Sequence, residues 1–598
     1  MPATLVDDND DDEAPQQEEA PQQEESPQQK LAAKRKPFDG PFFADIYPRM
    51  SSELICAPSV EKKIRSIWNK WKTYRTDKGL SGEPWVEDFG LQLYSKRDDL
   101  NNAKDYDHQM VDGFISWVNE NGLGTSVVKS AKTFLNTHLK CKHYSRLVES
   151  NRYGVLTSIS VGESEAVKKS CNAINAKAAS AAMANCIDIQ ADLDELLCAR
   201  TQQNLMLAVL APRPGGPVSK LDPLNRLIFA SSYCALSQIS RRGEELYGQK
   251  LVQRTTNWLP EIGSFGIRGS VFVTNKAKHN KEGWLEYTTM LPHMNPLMDA
   301  SAWYGALLVW RIQICHESLP QFVGNDTNYN KIFSIYSYPS ATDPSTHASS
   351  KQFGENFGSF YEECSAICAK KVHQPRLQAI QEMDRVGISE LLWKRMSGHK
   401  QDAKVHTRSY AHNPPSKCLI QWAGSQNPDD LKGFNPVHFL PSPLEQSLLD
   451  RIVYQLIPGI VDQRRLVIEE YKSTLSPAKR RENRLTTIKG LLTSAVKDVE
   501  HFVIMAACPI VDPKTHLLDR QDTRSLWEIH HNSIGLAALL NLQAFYLPEF
   551  KQLQESVLNK MLAAQDFAST LSEESKCAME QYVKEHVARP ILLQQQEN

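Results

Sequence analysis

The chain contains no run of about 18 apolar residues of the kind that crosses a bilayer. It passes from Met1–Val6 straight into acid, with no charged-then-apolar leader, so export is not expected. Its twelve cysteines include no CxxC, and only Cys364 and Cys368 lie close together in sequence. That pattern excludes a disulfide-stapled scaffold and is that of reduced thiols. Phosphate-cradling and metal motifs are missing too: there is no GxGxxG, no Walker loop and no HExxH. No His or Cys spacing demands a metal ion, so neither metal nor cofactor is expected. Finally, residues 7–29 lack Lys and Arg altogether while holding ten acids.

What is present is ordinary globular material. The 598 residues suffice for three or four domains of about 100 to 200 residues each. Hydrophobic residues make up 41% and charged residues 23%, as in typical folded chains. The net charge of -2 conceals an asymmetry: removing the ten acids of residues 7–29 from 70 leaves 60 against 68 Lys and Arg, a net of +8. Such a body suits a polyanionic partner.

Residues 1–40 form an acidic, Gln- and Pro-rich tail with two copies of APQQEE, too polar to bury a core and expected to be disordered. Lys34-Arg35-Lys36 is a basic cluster of the size nuclear localisation signals use, and Lys479-Arg480-Arg481 with Arg484 is a second. Residues 41–150 read as a helical domain: Ile64, Ile67, Trp68 and Trp71 recur at three- and four-residue intervals, with Lys62, Lys63, Arg65, Lys70, Lys72 and Arg75 on the remaining surface. A helix ending near Gly122 and another starting at Thr125 or Ser126 complete this bundle. A helical connector over 151–211 leads to the breaker PRPGGPVS at 212–219. Residues 212–420 mix helices with a strand pair, because SVFVTNKAKHNKEGWLEYTTML alternates on both sides of a polar turn. Residues 421–598 read as helical, with Phe550, Leu553, Val557 and Met561 as a core stripe.

Three separated segments carry chemistry: Arg242-Gly243-Glu244-Glu245-Leu246, then His373-Gln374-Pro375-Arg376, then Gly398-His399 followed by Tyr410. In this order they resemble the signature of tyrosine recombinases: Arg-x-x-Glu-Leu, a hairpin lysine, His-x-x-Arg, Gly-His and a terminal tyrosine. The flanking stretches KHNKEGWLEYTTMLPHMNPLMDASAWYGALLVWRI and FNPVHFLPSPLEQSLLDRIVYQLIPGIVD are similar to the matching parts of Crypton-type transposon recombinases. They are similar also to the fungal centromere-binding kinetochore subunit of that lineage. The resemblance covers roughly residues 60 to 465. In one respect the chain departs from the family: Tyr410 lies eleven residues beyond His399, a longer interval than usual, with Asp402 between.

The resemblance implies a multi-domain, mainly α architecture: a helical core-binding domain, an α+β tyrosine-recombinase-like catalytic domain and a helical C-terminal region. The residue types suit the chemistry. A phosphodiester attacked by a tyrosine oxygen gathers negative charge that two guanidiniums, Arg242 and Arg376, could bind bidentately. A phenol with a pKa near about 10 needs a neighbouring base, a role open to His373. His399 would donate to the same phosphate. Lys278 or Lys276, on the hairpin, would protonate the departing 5′ oxygen; the family pattern favours Lys278 as the acid and leaves Lys276 as a DNA contact. Lys62, Lys63, Lys70 and Lys72 would meet backbone phosphates. Tyr361 is the alternative nucleophile.

The expected partner is double-stranded DNA, bound by a homo-oligomer in the nucleus and not by a membrane protein. Two activities suit this reading: cleavage and rejoining of DNA through a 3′-phosphotyrosyl link, or idle DNA binding within chromosome or centromere structure. A type IB topoisomerase shares the chemistry but lacks the flanking likeness.

Overall fold

The computed structural model describes residues 58–79, 109–121, 127, 147–150, 156–159, 165–184, 197–211, 222–264, 266–274, 285–319, 321–322, 331–340, 345–366, 368, 371–397, 415–425, 427–429, 431, 433–473, 484–532 and 537–570. They fall into two compact units divided between Asp188 and Ile189. Both are mainly helical.

In the first unit, α1 (Pro58–Asp77) and α2 (Gln109–Glu120) pack through Ile67 and Tyr74 on one side and Phe114, Ile115 and Val118 on the other. Tyr74 tilts against Phe114 at 5.5 Å between ring centroids, and Trp117 Nε1 donates to Asp77 Oδ2 at 2.8 Å. The helix end expected near Gly122 agrees with the observed bound at Glu120. The side chains of Trp68 and Trp71, and all but Val127 of the helix expected from Thr125, lie outside the described residues.

One stretch read as helical is a hairpin. Strand β1 (Leu147–Ser150) pairs antiparallel with β2 (Leu156–Ile159), Leu147 opposite Ile159 and Ser150 opposite Leu156. The reason is visible in the residues: β-branched Val148, Thr157 and Ile159 occupy short segments around an intervening Asn151 and Gly154, which favours a strand pair over a helical stripe. Helix α3 (Glu165–Ala184) follows, as the Ala-rich composition predicts.

The second unit begins with α4 (Ala199–Leu210) and α5 (Pro223–Ile239). Asp222 caps α5, accepting from Asn225 N at 2.8 Å, with Pro223 at the first position. After the single turn α6 (Gly243–Tyr247) comes an antiparallel sheet of β3 (Arg254–Leu259), β4 (Ile267–Thr274) and β5 (Glu286–Met290), in that order. The expected hairpin is β4 and β5, in register from Ser270 opposite Met290 to Thr274 opposite Glu286. Strand β3 was not anticipated; its RTTNWL pairs Arg254 with Phe272.

Helix α7 (Ala300–Val309) is buried on every side and continues into a π turn at Trp310–Ile314. Then come α8 (Ser350–Glu363), a 3-10 turn (Lys371–His373), α9 (Gln374–Arg385), α10 (Glu390–Met396) and α11 (Ser416–Trp422). The remaining helices are α12 (Pro443–Leu456), α13 (Pro458–Ser473), α14 (Arg484–Ala507), the short α15 (Leu526–His530) and α16 (Ala537–Leu540), and α17 (Pro548–Thr570).

One buried apolar cluster runs from Leu197 to Met561. The boundaries expected at 211/212 and 420/421 lie inside the second unit, Ile420 within a second buried apolar cluster that runs from Leu259 to Phe434. Helix α14 presses on α7 so closely that a Cβ on Gly305 would sit 2.1 Å from the Asp498 carbonyl oxygen. A buried ion pair fixes the sheet to that helix: Arg254 Nη2 donates to both Asp498 oxygens at 2.7 Å, and its guanidinium lies 3.5 Å from the centroid of the Tyr304 ring. A cavity of about 20 Å³, enough for one water, adjoins this pair. Farther on, α12 starts in a reciprocal Ser442–Glu445 cap, and Lys560 of α17 donates to Glu445 Oε2 at 2.6 Å. Among the described residues no helix is long and apolar enough to cross a membrane.

Candidate nucleic-acid interface

Helix α5 ends at Ser240, whose φ of 51° is left-handed. Such a conformation costs a non-glycine residue about 1 kcal/mol or more, and here it turns the chain sharply before Arg241 and Arg242. Arg242 is extended (φ -77°, ψ 146°) and precedes the one-turn α6. A residue three or four positions into a helical turn comes back beneath its start. Glu245 accordingly sits under both arginines, 3.7 Å from Arg242 Nη1 and 3.6 Å from Arg241 Nη1. The Arg-x-x-Glu spacing is thus a local ion-pair device.

Gly243 brings the second segment to the first. A Cβ there would meet Val372 Cγ1 at 2.5 Å and Tyr247 Oη at 2.6 Å, so only glycine lets the Lys371–His373 turn press against the chain beside Arg242. From that turn α9 starts, with His373 at its cap position and both Pro375 and Arg376 in its first turn. Arg376 is 8% exposed. Burial, and then the positive charge of Arg242, push its guanidinium down to about 10; Glu245 opposes the shift and Arg241 adds to it. Arg242 and Arg376, 134 positions apart in sequence, are therefore brought into one electrostatic neighbourhood. His373 is exposed at the edge of the same turn.

The strand hairpin reaches this cluster through a residue that the sequence reading missed. Arg241 Nη1 donates to Glu286 Oε2 at 2.6 Å, and Glu286 opens β5 opposite Thr274, the last residue of β4. Lys276 and Lys278 fall between Thr274 and Glu286 in sequence and lie outside the described residues. Arg241, Arg242 and Arg376 thus share the neighbourhood of Glu245, and Glu286 reaches Arg241 from the hairpin. Arg241 and Glu245 had a visible signal, the doublet and its i+4 acid; Glu286 had none, because its partner lies 45 residues away.

Helix α10 ends at Met396 and α11 resumes at Ser416; His399 and Tyr410 lie outside the described residues, as do the side chains of Lys62 and Lys63. On α1, Lys72 is exposed and Lys70 Nζ donates to Ser66 Oγ at 3.3 Å. Tyr361 is disqualified as a nucleophile. It is 2% exposed, its hydroxyl faces Gln374 Oε1 at 3.3 Å, and burial raises its pKa well above the ordinary phenol value.

No group of three His, Cys, Asp or Glu side chains among the described residues is placed to hold a metal ion. The buried imidazoles serve packing instead: burial pushes His293 and His438 down to about 3, so both are neutral at physiological pH. The chain matches no protein-family model and no curated protein sequence.

Proposed function

We propose that the second unit binds double-stranded DNA through the Arg241–Arg242–Arg376 cluster, and that the protein cleaves and rejoins a DNA strand through Tyr410. One observation carries the reading. Two arginines from distant segments, Arg242 and Arg376, are held partly buried and mutually repelling, an arrangement that a bound phosphate relieves by placing an anion between planar donors. The order of the motifs, similar to that of Crypton-type tyrosine recombinases, supplies the rest: His373 as base, His399 as second donor, Lys278 or Lys276 as acid, Tyr410 as nucleophile.

In the proposed step the Tyr410 oxygen attacks phosphorus, forms the 3′-phosphotyrosyl bond and expels the 5′ oxygen, which takes a proton from the hairpin lysine. The clamp stabilises the charge on the non-bridging oxygens. This reading places the protein in the nucleus, acting as a homo-oligomer on DNA. Incubation with nicked suicide duplexes tests it: wild-type protein yields a denaturation-resistant adduct and Tyr410→Phe binds the duplex without one. Binding with no adduct from wild-type protein removes the catalytic half and leaves a chromosome-associated DNA binder. No binding removes both.

A further inference from the structure

Away from the arginine cluster the second unit has a cleft of about 910 Å³ between α4, α5, α9, α11 and the segment around residues 512–516. Its walls include Leu197, Met298, Ala379, Val386, Trp422 and Pro513. That size and apolar character suit an organic ligand.

The polar atoms on the lining are unusual in kind. Gln238 is 2% exposed and Gln421 7%, and the Oε1 atoms of both are buried without a hydrogen-bond partner. Their orientations are set from the other end: Gln238 Nε2 donates to the Met298 carbonyl oxygen at 3.4 Å, and Gln421 Nε2 to Glu382 Oε1 at 3.5 Å. His516 Nε2 faces the Gly424 carbonyl oxygen at 2.9 Å, so that nitrogen carries the proton and the unpartnered Nδ1 is an acceptor. Three acceptors thus lack donors in one cleft. Leaving a buried polar atom unmatched costs about 1 to 3 kcal/mol.

Two carboxylates on the cleft lining are already matched. Glu382 is paired with Arg385 at 2.5 Å, and Asp512 Oδ1 accepts from the backbone nitrogens of Lys514 and Thr515 and from the Thr515 hydroxyl. A cationic ligand would find no free carboxylate in either.

We propose that this cleft is a binding site for a neutral, amino-substituted heteroaromatic ring, alone or as the head of a larger molecule, whose N–H groups donate to Gln238, Gln421 and His516. The apolar walls take the ring, and the volume leaves room for a substituent. Cys198 reports on occupancy. It lies on the cleft lining at the start of α4, exposed, with its Sγ 3.2 Å from Thr201 Oγ1. Hydrogen bonds from Thr201 lower its pKa, which favours the thiolate that displaces iodide from iodoacetamide.

Full-length protein is treated with iodoacetamide in the presence of adenine, cytosine or 2-aminopyrimidine, and alkylation of Cys198 and of the exposed Cys315 is followed by peptide mass spectrometry. Slower modification of Cys198 alone, with purine protecting far less than adenine, is the expected result. Calorimetric titration of adenine into wild-type protein gives the affinity directly. Gln238→Leu and Gln421→Leu each weaken it about fivefold or more for the lost hydrogen bond, with melting curves run alongside. Absence of protection and of heat with all three ligands overturns the proposal, as does equal protection by purine. DNA binding by the arginine cluster is measured separately and is unaffected by either outcome.

Discussion

Arg376 shows how a single residue can be costly in one state and useful in another. A partly buried guanidinium beside a second one opposes folding, and a phosphate reverses the sign of that interaction. Arg376→Ala is therefore expected to weaken duplex binding by about 1.5 to 3 kcal/mol in anisotropy titrations, while its thermal stability holds or rises. Arg376→Lys keeps the charge but loses the planar fork, so it recovers only part of the affinity. A drop in stability matching the drop in affinity would show that the residue only packs.

The buried histidines give a pH dependence whose sign can be worked out. His293 and His438, pushed down to about 3 by burial, stay neutral in the folded state, while the unfolded chain protonates them near 6.5. Between those values the unfolded state binds two more protons, so acidification favours unfolding. Asp498 acts oppositely, since burial pushes it up to about 6 and the folded state takes up a proton there. These three groups give a net of about one proton, and His516 and His530, also lowered by burial, add to it, so stability is expected to fall by at least about 1.4 kcal/mol per pH unit near pH 5. Urea melts at pH 7, 6 and 5 check this; a midpoint that does not fall would contradict it.

At the scale of elements, the contact between α6 and the turn before α9 decides whether the cluster exists. Gly243→Ala puts a methyl group against Val372 and is expected to shift the start of α9, costing about 1 to 3 kcal/mol of stability and reducing DNA affinity as well. Hydrogen exchange localises the change to the two segments if this is correct. The β4–β5 hairpin was legible because its residues alternate over a full strand length, and the helices of the second unit because apolar residues recur at helical spacing. The β1–β2 pair was missed because four-residue strands are too short for a period to stand out against helical surroundings. Strand β3 was missed because its edge positions hold Thr, Asn and Arg, and its Arg254 acquires meaning only from Asp498, 244 residues later. In the same way Arg242, His373 and Arg376 could be picked out as motif letters, whereas Arg241 and Glu286 are joined only by the fold.

At the scale of the whole molecule, the last helices complete the core of the second unit. Asp498→Ala leaves Arg254 buried without its partner and is expected to destabilise that unit by about 3 to 5 kcal/mol. A chain ended at residue 440 loses α12, α14 and α17 and should give an aggregating product with no cooperative melt; a soluble, cooperatively melting fragment would contradict the shared core. The four lysines proposed to meet DNA, Lys62, Lys63, Lys70 and Lys72, are tested together: neutralising them lowers affinity for all duplexes and flattens its dependence on salt.

The seat of α14 against both α7 and the sheet also fixes the order of events during synthesis. Val309 leaves the ribosome 198 residues before Ala507, which at about 5 to 20 residues per second is a delay of about 10 to 40 s. For that interval the apolar flank of α7 has no covering helix. The nascent protein therefore depends on whatever shields it, and slowing translation between residues 310 and 484 lengthens its exposure to aggregation without altering a single contact of the finished fold.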